Sequence, residues 1–171
     1  SMVDETLARF GRVDVLVNVA GGSYSRNPYM PSFKRAPLLD LSPGDFMMAY
    51  EVNTKSAFLC AKTVVPSMKV SGKGSIINIC STYGLNGPDQ RIYIKDRKRV
   101  AFKPVYYTVT KAGVMGFTKY LAAYYAGTDI RVNALTPGGV FNNHEDYFVK
   151  NYSAKTILGR MARKDEMNGA L

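Results

Sequence analysis

An α/β fold with a parallel sheet and flanking helices is predicted by this sequence. Three short apolar segments rich in β-branched residues, at 13–19, 75–80 and 129–135, alternate with helical patterns. Such alternation favours parallel strands joined by right-handed crossovers. The chain has 171 residues, 46% of them hydrophobic and 21% charged, which is enough for one domain, residues 1–171, with a single core.

The first half of the chain is predicted to begin with a short helix, a strand and a loop. Residues 3–10 have a helical pattern that ends at Gly11, where glycine favours helix termination. Residues 13–19 (VDVLVNV) form a β-branched run that predicts a buried strand. Glycines and prolines mark the loop that follows, at Gly21, Gly22, Pro28 and Pro31.

A long helix is predicted next. Ser42 as the N-cap, Pro43 in the first turn and Asp45 near the positive end of the helix all favour a helix start. The pattern continues to about Lys69, and two glycines then break it, Gly72 and Gly74. The remaining predicted elements are a strand at 75–80, a long polar connection at 82–103, a helix at 104–126, a strand at 129–135 stopped by 137–139, and short helices at 144–153 and from about 164 onward.

Composition narrows the classes of function. The net charge is +10, which raises the question of nucleic-acid binding. However, six bases and two acids at 89–103 supply +4 of this charge, and no aromatic-basic repeat or known reading motif accompanies them, so nucleic acid is not an expected partner. Two cysteines and one histidine favour neither disulfides nor a metal site, and they fit a cytoplasmic location. No apolar run approaches the roughly 20 residues of a membrane span.

The polar residues and glycines cluster just after the predicted strands. They occupy 18–22, 81–84 and 136–139. Sites in parallel α/β sheets lie at the carboxyl ends of the strands. A functional site is therefore expected at this edge of the sheet.

Tyr107 and Lys111 stand four residues apart in a predicted helix, so their side chains share one face. An ammonium beside a tyrosine hydroxyl favours the phenolate, whose parent phenol has a pKa near 10 in the absence of such a neighbour. This is how a tyrosine becomes a usable acid/base near neutral pH. The spacing alone is common, and a half-buried helical tyrosine is the structural alternative.

Several motifs occur in a fixed order along the chain: 18–21 (NVAG), Val52-Asn53, 78–84 (NICSTYG), Tyr107 with Lys111, and 131–138 (RVNALTPG). In this order they resemble the short-chain dehydrogenase/reductase family, with Val19 in place of a usual second asparagine. The resemblance implies a Rossmann-like fold and NAD or NADP as cofactor. It implies cofactor-binding roles for Asn18, Ala20, Gly21, Tyr107, Lys111, Pro137, Gly138 and Val140.

The same resemblance assigns four catalytic residues. Tyr107 would exchange a proton with the substrate oxygen, and Ser81 would donate a hydrogen bond to that oxygen. Lys111 would lower the pKa of Tyr107 and bind the nicotinamide ribose. Asn53 would hold a water that relays protons to Lys111. The structural alternatives are a turn-forming Ser81, a solvated helical Asn53 and a surface His144 at a helix start.

Three departures from the family pattern stand out. The Gly-rich turn that holds the cofactor pyrophosphate is not found, so the Rossmann-like sheet is expected to be incomplete. Against a typical domain size, roughly 70 N-terminal and about 30 C-terminal residues would be missing, including the last strand and the part that selects NAD or NADP. Ser81 and Tyr107 are 26 positions apart, about twice the usual separation, and Asn142 replaces an expected threonine.

The extra length between Ser81 and Tyr107 is assigned to a basic insertion at 86–103, which should overhang the substrate. Its charge suggests an anionic substrate such as a nucleotide-linked or phosphorylated sugar. The insertion also resembles a subgroup of the family, the oxidoreductases of bacterial flagellin-glycan and nonulosonic-sugar pathways. A solvated basic loop without a ligand is the alternative.

A second function remains open. An incomplete Rossmann-like chain would leave a sheet edge unpaired, and such edges invite pairing with another copy. The chain would then be a catalytically inactive half-Rossmann fragment that self-associates. For the enzyme, the family resemblance implies a homodimer or homotetramer that associates through the helices at 45–69 and 105–125.

Overall fold

The structure, a computed structural model, describes residues 2–23 and 37–171. The predicted loop prolines Pro28 and Pro31 lie outside the described residues. The helices in the described ranges are α1 (Met2–Phe10), α2 (Pro43–Tyr50), α3 (Ser56–Ser71), α4 (Val105–Tyr124) and α5 (Asp146–Ser153). The strands are β1 (Val15–Asn18), β2 (Lys73–Ile79), β3 (Ile94–Lys95), β4 (Lys98–Arg99) and β5 (Asp129–Leu135).

The predicted α/β class is confirmed by a parallel sheet in the order β1-β2-β5. Asn18 lies opposite Asn78 in the β1–β2 pair, and Ile79 lies opposite Leu135 in the β2–β5 pair. The three strands therefore end at one edge of the sheet, where the polar motifs were expected.

Helices α3 and α4 cover one face of the sheet. The buried core on this side contains small and branched apolar residues from α3, β2 and β5: Ala61, Val64, Val65, Met68, Ile76, Ile130 and Val132. On β1, Val15 and Val17 remain 53% and 37% exposed. Within the described residues, the opposite side of β1 is therefore much less covered than the side under the helices.

The second strand starts earlier than the sequence predicts. Gly72 ends α3 in the left-handed region, with φ of +74°, as expected of a C-terminal glycine. Gly74 is part of β2 and does not break a helix. A Cβ at Gly74 would lie 2.4 Å from Sδ of Met68, so glycine allows α3 to pack closely on the strand.

The predicted long helix is interrupted. Its start is confirmed, because Oγ of Ser42 accepts the backbone N–H of Asp45 at 3.0 Å. Residues Glu51–Lys55 then form a π-helical turn between α2 and α3. This turn buries Asn53 and Thr54 on the core side. Single π turns inside α-helices occur often at functional sites.

The predicted polar connection at 82–103 has a folded structure, which corrects that expectation. It contains 3₁₀ turns at Thr82–Gly84 and Gln90–Tyr93, followed by the β3–β4 hairpin. Its buried residues are Ile92, Tyr93 and Ala101, which pack against Phe148 and Tyr152 of α5. A short apolar run inside a charged segment does not reveal this core, because its partners lie far along the chain.

The C-terminal part agrees with one prediction and contradicts another. The helix expected at 144–153 is present as α5. The helix expected from 164 onward is wrong, because turns lead there to a single 3₁₀ turn, Asn168–Ala170. Asn168 and Gly169 are weak helix formers, which explains the difference. None of the helices in residues 2–23 and 37–171 is long and apolar enough to cross a bilayer.

Candidate active site

Buried polar side chains connect the strand ends to α4. Nδ2 of Asn18 donates to Oδ1 of Asn78 at 2.8 Å, and Nδ2 of Asn78 donates to Oγ1 of Thr118 at 2.9 Å. Asn78 is fully buried. Asn18 is a predicted cofactor-binding residue, and one of its two amide hydrogens is used in the hydrogen bond to Asn78. The supporting role of Asn78 was missed, although an asparagine inside an apolar strand was a visible signal.

Asn53 fastens the loop after β1 to α4. Its Oδ1 accepts the backbone N–H of Gly22 at 2.7 Å, and its Nδ2 donates to the carbonyl of Gly22 at 3.0 Å and to Oγ1 of Thr110 at 2.9 Å. The side chain is buried, so the alternative of a solvated helix residue is wrong. Both amide hydrogens are donated within the protein, which leaves one lone pair of Oδ1 for a relay water.

Gly21 approaches Lys111 closely. A Cβ at this position would lie 3.2 Å from Nζ of Lys111 and 2.9 Å from Oδ1 of Asn53. Ala20, the residue before it, is exposed at the same edge of the sheet. The predicted cofactor-binding loop therefore reaches the predicted catalytic lysine without an intervening side chain.

Ser81 begins the turn after β2 and is 6% exposed. Its Oγ accepts the backbone N–H of Tyr83 at 3.1 Å, so it does form the turn that was considered as an alternative role. It also lines a cavity of about 170 Å³ together with Tyr107. Its hydroxyl hydrogen is available to a second acceptor, since in this contact the oxygen only accepts.

Tyr107 and Lys111 share the first half of α4, as the spacing predicts. Nζ of Lys111 lies 6.0 Å from the ring centroid of Tyr107 and donates to the carbonyl of Ile79 at 2.7 Å. Burial lowers the pKa of Lys111, an effect partly opposed by Cys80. Lys103, a residue that sequence reasoning did not single out, places its Nζ 3.8 Å from the same ring centroid.

The predicted turn after β5 forms another wall of the cavity, through Gly138, Gly139 and Val140. The carbonyl of Pro137 accepts the backbone N–H of Thr82, which ties this turn to the Ser81 segment. The hydroxyl of Tyr152 accepts the backbone N–H of Gly139. Two of the strand-end segments named by the sequence, 81–84 and 136–139, therefore meet at this cavity.

Aromatic residues that the sequence did not identify complete the cavity: Tyr83, Tyr93, Phe148 and Tyr152. His144 also lines it and stacks on Phe148 with ring centroids 5.1 Å apart, and it is exposed, as expected of a surface residue. Burial, and secondly the charge of Lys103, lower the pKa of His144. Asn142, which replaces an expected threonine, donates its backbone N–H to Nδ1 of His144.

The bases of the insertion have different surroundings. Arg91 forms a salt bridge with Asp89, and the hydrogen bonds from Arg91 hold the pKa of Asp89 well below its usual range. Lys95 pairs with Glu145. Arg99 lines a groove of about 400 Å³, and Lys103 lines both this groove and the cavity at Tyr107.

Fold and site together define a Rossmann-like α/β protein with a serine, a tyrosine and a lysine at the carboxyl edge of its sheet. The family model for short chain dehydrogenases matches residues 1–152, and the chain belongs to this family.

Proteins that are similar to this chain in sequence or in structure are oxidoreductases or dehydrogenases, in agreement with this family assignment. An uncharacterized oxidoreductase of Thermotoga maritima is 36% identical over 180 residues, covering 99% of this chain and 62% of that protein. A short chain dehydrogenase from Leptospira borgpetersenii, solved with bound NAD+, superposes with a TM-score of 0.83 at 35% identity, over 99% of this chain and 60% of that one.

A third relative is a gluconate 5-dehydrogenase from Burkholderia cenocepacia, solved in complex with NADP and tartrate. It has a TM-score of 0.78 at 30% identity, and the match covers 98% of this chain and 59% of that one. The chain thus spans about 60% of the length of these relatives.

Proposed function

We propose that the chain carries the catalytic part of an NAD(P)-dependent oxidoreductase that acts on an alcohol or ketone. The observation that carries this proposal is the meeting of Ser81 and Tyr107 in one cavity at the carboxyl edge of the sheet. Lys111 lies behind them, with its ammonium at the end of β2. A hydroxyl donor and an acid/base beside one small cavity are the groups that an interconverting carbonyl and alcohol require.

The residues divide the proton chemistry between them. Tyr107 gives a proton to the carbonyl oxygen in reduction and takes it back in oxidation. Ser81 donates a hydrogen bond to the same oxygen, where negative charge develops. Lys111 stabilises the tyrosinate through its charge, and Asn53 keeps the Gly22 loop against α4.

The predicted cofactor-binding residues fit a nicotinamide ribose at the edge of the sheet. Gly21 leaves the approach to Nζ of Lys111 open, because a Cβ there would crowd that atom at 3.2 Å. The other residues proposed to line this site are Asn18, Ala20, Tyr107, Pro137, Gly138 and Val140. NAD or NADP, when bound, would exchange the hydride with the substrate carbon. Solved relatives that contain NAD+ or NADP support this assignment.

A titration of the purified chain with NADH and with NADPH tests the proposal. Saturable binding, together with turnover of a ketone, would support an oxidoreductase. Binding without turnover, or no binding, would favour the inactive self-associating fragment. That second candidate is supported by β1, which pairs within the described sheet only with β2.

We propose further that the substrate is anionic, with a sugar acid of the nonulosonic type as the specific candidate. Lys103 lines the cavity at Tyr107 and also the neighbouring groove, where Arg99 stands. A substrate that reacts at Tyr107 would extend its anionic group past Lys103 towards Arg99. The gluconate dehydrogenase solved with tartrate is a relative that acts on an acid, which supports the same class of substrate.

Charge reversal at Arg99 is expected to weaken binding of such a substrate. Arg99→Glu should raise the Michaelis constant for a keto acid about tenfold, because a charge-assisted contact is replaced by repulsion. For the neutral ester of the same acid, Arg99→Glu should change the Michaelis constant by less than about twofold. Arg97→Glu, at the hairpin turn, is the matched control and should change neither constant. Equal Michaelis constants for the acid in wild type and Arg99→Glu would contradict an anionic substrate.

We propose that the chain forms a homodimer or homotetramer through the outer faces of α3 and α4. These faces expose apolar side chains at Phe58, Leu59, Val105, Val109 and Tyr120. Exposed apolar patches of this kind mark association surfaces.

Leu59→Glu should lower the molar mass measured by light scattering to that of a smaller species. A charge buried in an apolar interface is costly, so the dissociation constant of the oligomer should rise at least about tenfold. Leu158→Glu, in the turns after α5, is the control for the charge itself. An unchanged mass in Leu59→Glu would move the contact to another surface, such as the free edge of β1.

A further inference from the structure

Among the described residues, the cation nearest to the ring of Tyr107 comes from the insertion. Nζ of Lys103 lies 3.8 Å from the ring centroid, compared with 6.0 Å for Nζ of Lys111. Lys111 directs its ammonium to the carbonyl of Ile79 at 2.7 Å. Two lysines therefore flank the tyrosine at the same spacing of four along the chain, and the preceding one is closer to the ring.

The backbone of Lys103 is held in place by one side chain. Oε1 of Gln90 accepts the N–H of Lys103 at 3.0 Å, and Nε2 of Gln90 donates to the carbonyl of Lys103 at 2.9 Å. Gln90 begins a 3₁₀ turn that Asp89 caps by accepting the N–H of Arg91. Pro104, with its restricted φ, follows directly and is the N-cap of α4. The insertion thus holds Lys103 at a defined position just before the first turn of α4.

We propose, on the basis of the function proposed above, that Lys103 is a positioning residue that acts through Tyr107 by stabilising its phenolate from the face of the ring. A cation within about 6 Å of an aromatic centroid is attracted to the ring face, and more strongly when the site is partly desolvated. The phenolate carries a full negative charge, so the same cation favours it over the phenol. Tyr107 then serves as a base at lower pH than Lys111 alone would allow.

Other titratable groups surround Tyr107: Tyr83, Tyr93, His144 and Tyr152 line the same cavity, and Lys111 shares its helix face. Cys80 lies beside Lys111, whose backbone carbonyl accepts its Sγ–H. Burial raises the pKa of Tyr83, with smaller contributions from neighbouring acidic groups. Burial likewise raises the pKa of Cys80 and lowers that of His144. These shifts favour the neutral forms of all three groups near pH 7, so within the described part of the chain Lys103 and Lys111 supply the positive charge at Tyr107.

The test measures the ionisation of Tyr107 directly. The full chain is labelled with carbon-13 at Cζ of tyrosine, and the Tyr107 signal is assigned by its loss in Tyr107→Phe. Titration with pH should show that Lys103→Met raises the pKa of Tyr107 by about one unit, a tenfold change in the ionisation constant. Lys103→Arg retains the charge and should keep the pKa within about 0.3 unit of wild type.

Two results would overturn the role of Lys103. One is an unchanged pKa in Lys103→Met, and the other is an equal rise in Lys103→Arg, which would show that shape and not charge is the cause. Lys103→Gln provides a second neutral variant if Lys103→Met fails to fold, as judged by circular dichroism. The titration needs no turnover, so an inactive chain would contradict the proposed function without changing this result.

Discussion

Replacing Tyr107 by phenylalanine should reduce turnover by about 10²- to 10⁴-fold, the usual contribution of a positioned acid/base. Phenylalanine keeps the ring on which the ammonium of Lys103 lies, so packing and the cation contact are retained. The loss would therefore report on the hydroxyl alone. Turnover is measured as NADH or NADPH consumption under saturating ketone and saturating cofactor.

Tyr120→Phe is the matched control. It removes a hydroxyl from the same helix at a residue that is 65% exposed, and it should leave turnover unchanged. A fall of less than about tenfold in Tyr107→Phe would mean that another group exchanges the proton. His144 would then be examined first, because it lines the same cavity.

The second large effect is expected at Gly84, in the turn after Ser81. A Cβ there would lie 2.7 Å from Sγ of Cys80 and 2.8 Å from both the carbonyl carbon and the oxygen of Lys111. The carbonyl of Lys111 also accepts the Sγ–H of Cys80. Because the obstacle is the backbone of α4, Gly84→Ala should destabilise the fold by about 1–3 kcal/mol.

Thermal unfolding checks this prediction. Tm of Gly84→Ala should fall by roughly 3–10 °C for a domain of this size. Turnover should fall as well, because the shifted backbone carries Lys111. Gly87→Ala is the matched control in the same segment, since its Cβ would meet nothing within 4 Å, and its Tm should stay within about 2 °C. Equal Tm values for the two variants would show that the turn relaxes without moving α4.

The sheet was predictable because its signals are local. The strands at 75–80 and 129–135 are recognisable from β-branched runs, and β2 and β5 agree with them to within two residues at either end. The start of α2 followed from Ser42, whose cap bond reaches only to Asp45. Each of these features depends on residues a few positions apart, so a single sequence contains the information.

The π turn at Asn53 was not predictable from the same information. Its local sequence is compatible with a continuous helix. What accompanies the altered backbone is the burial of the Asn53 amide against Gly22 and Thr110, which are 31 and 57 positions away. Only the packed fold brings these partners together.

The other aromatic residues that line the cavity at Tyr107 could not be predicted from the sequence either. Tyr93 packs with Phe148 and Tyr152, residues from segments that the sequence separates widely. Charge counting drew attention to the basic insertion at 86–103 as a whole, whereas the base of it that lines the cavity at Tyr107 is Lys103. A signal for it did exist, because Lys103 precedes Tyr107 by the same four positions by which Lys111 follows it.

The sequence by itself determined the α/β class, the family, and the residues that stand after each strand. It did so because hydrophobic periodicity, helix capping and short motifs act over a few neighbouring positions. Tertiary structure alone decided that Ser81 and Tyr107 share a cavity, that Asn53 is buried, and that two lysines flank the tyrosine. Those outcomes depend on how distant segments pack at the carboxyl edge of the sheet, where side chains with no local relationship come into contact.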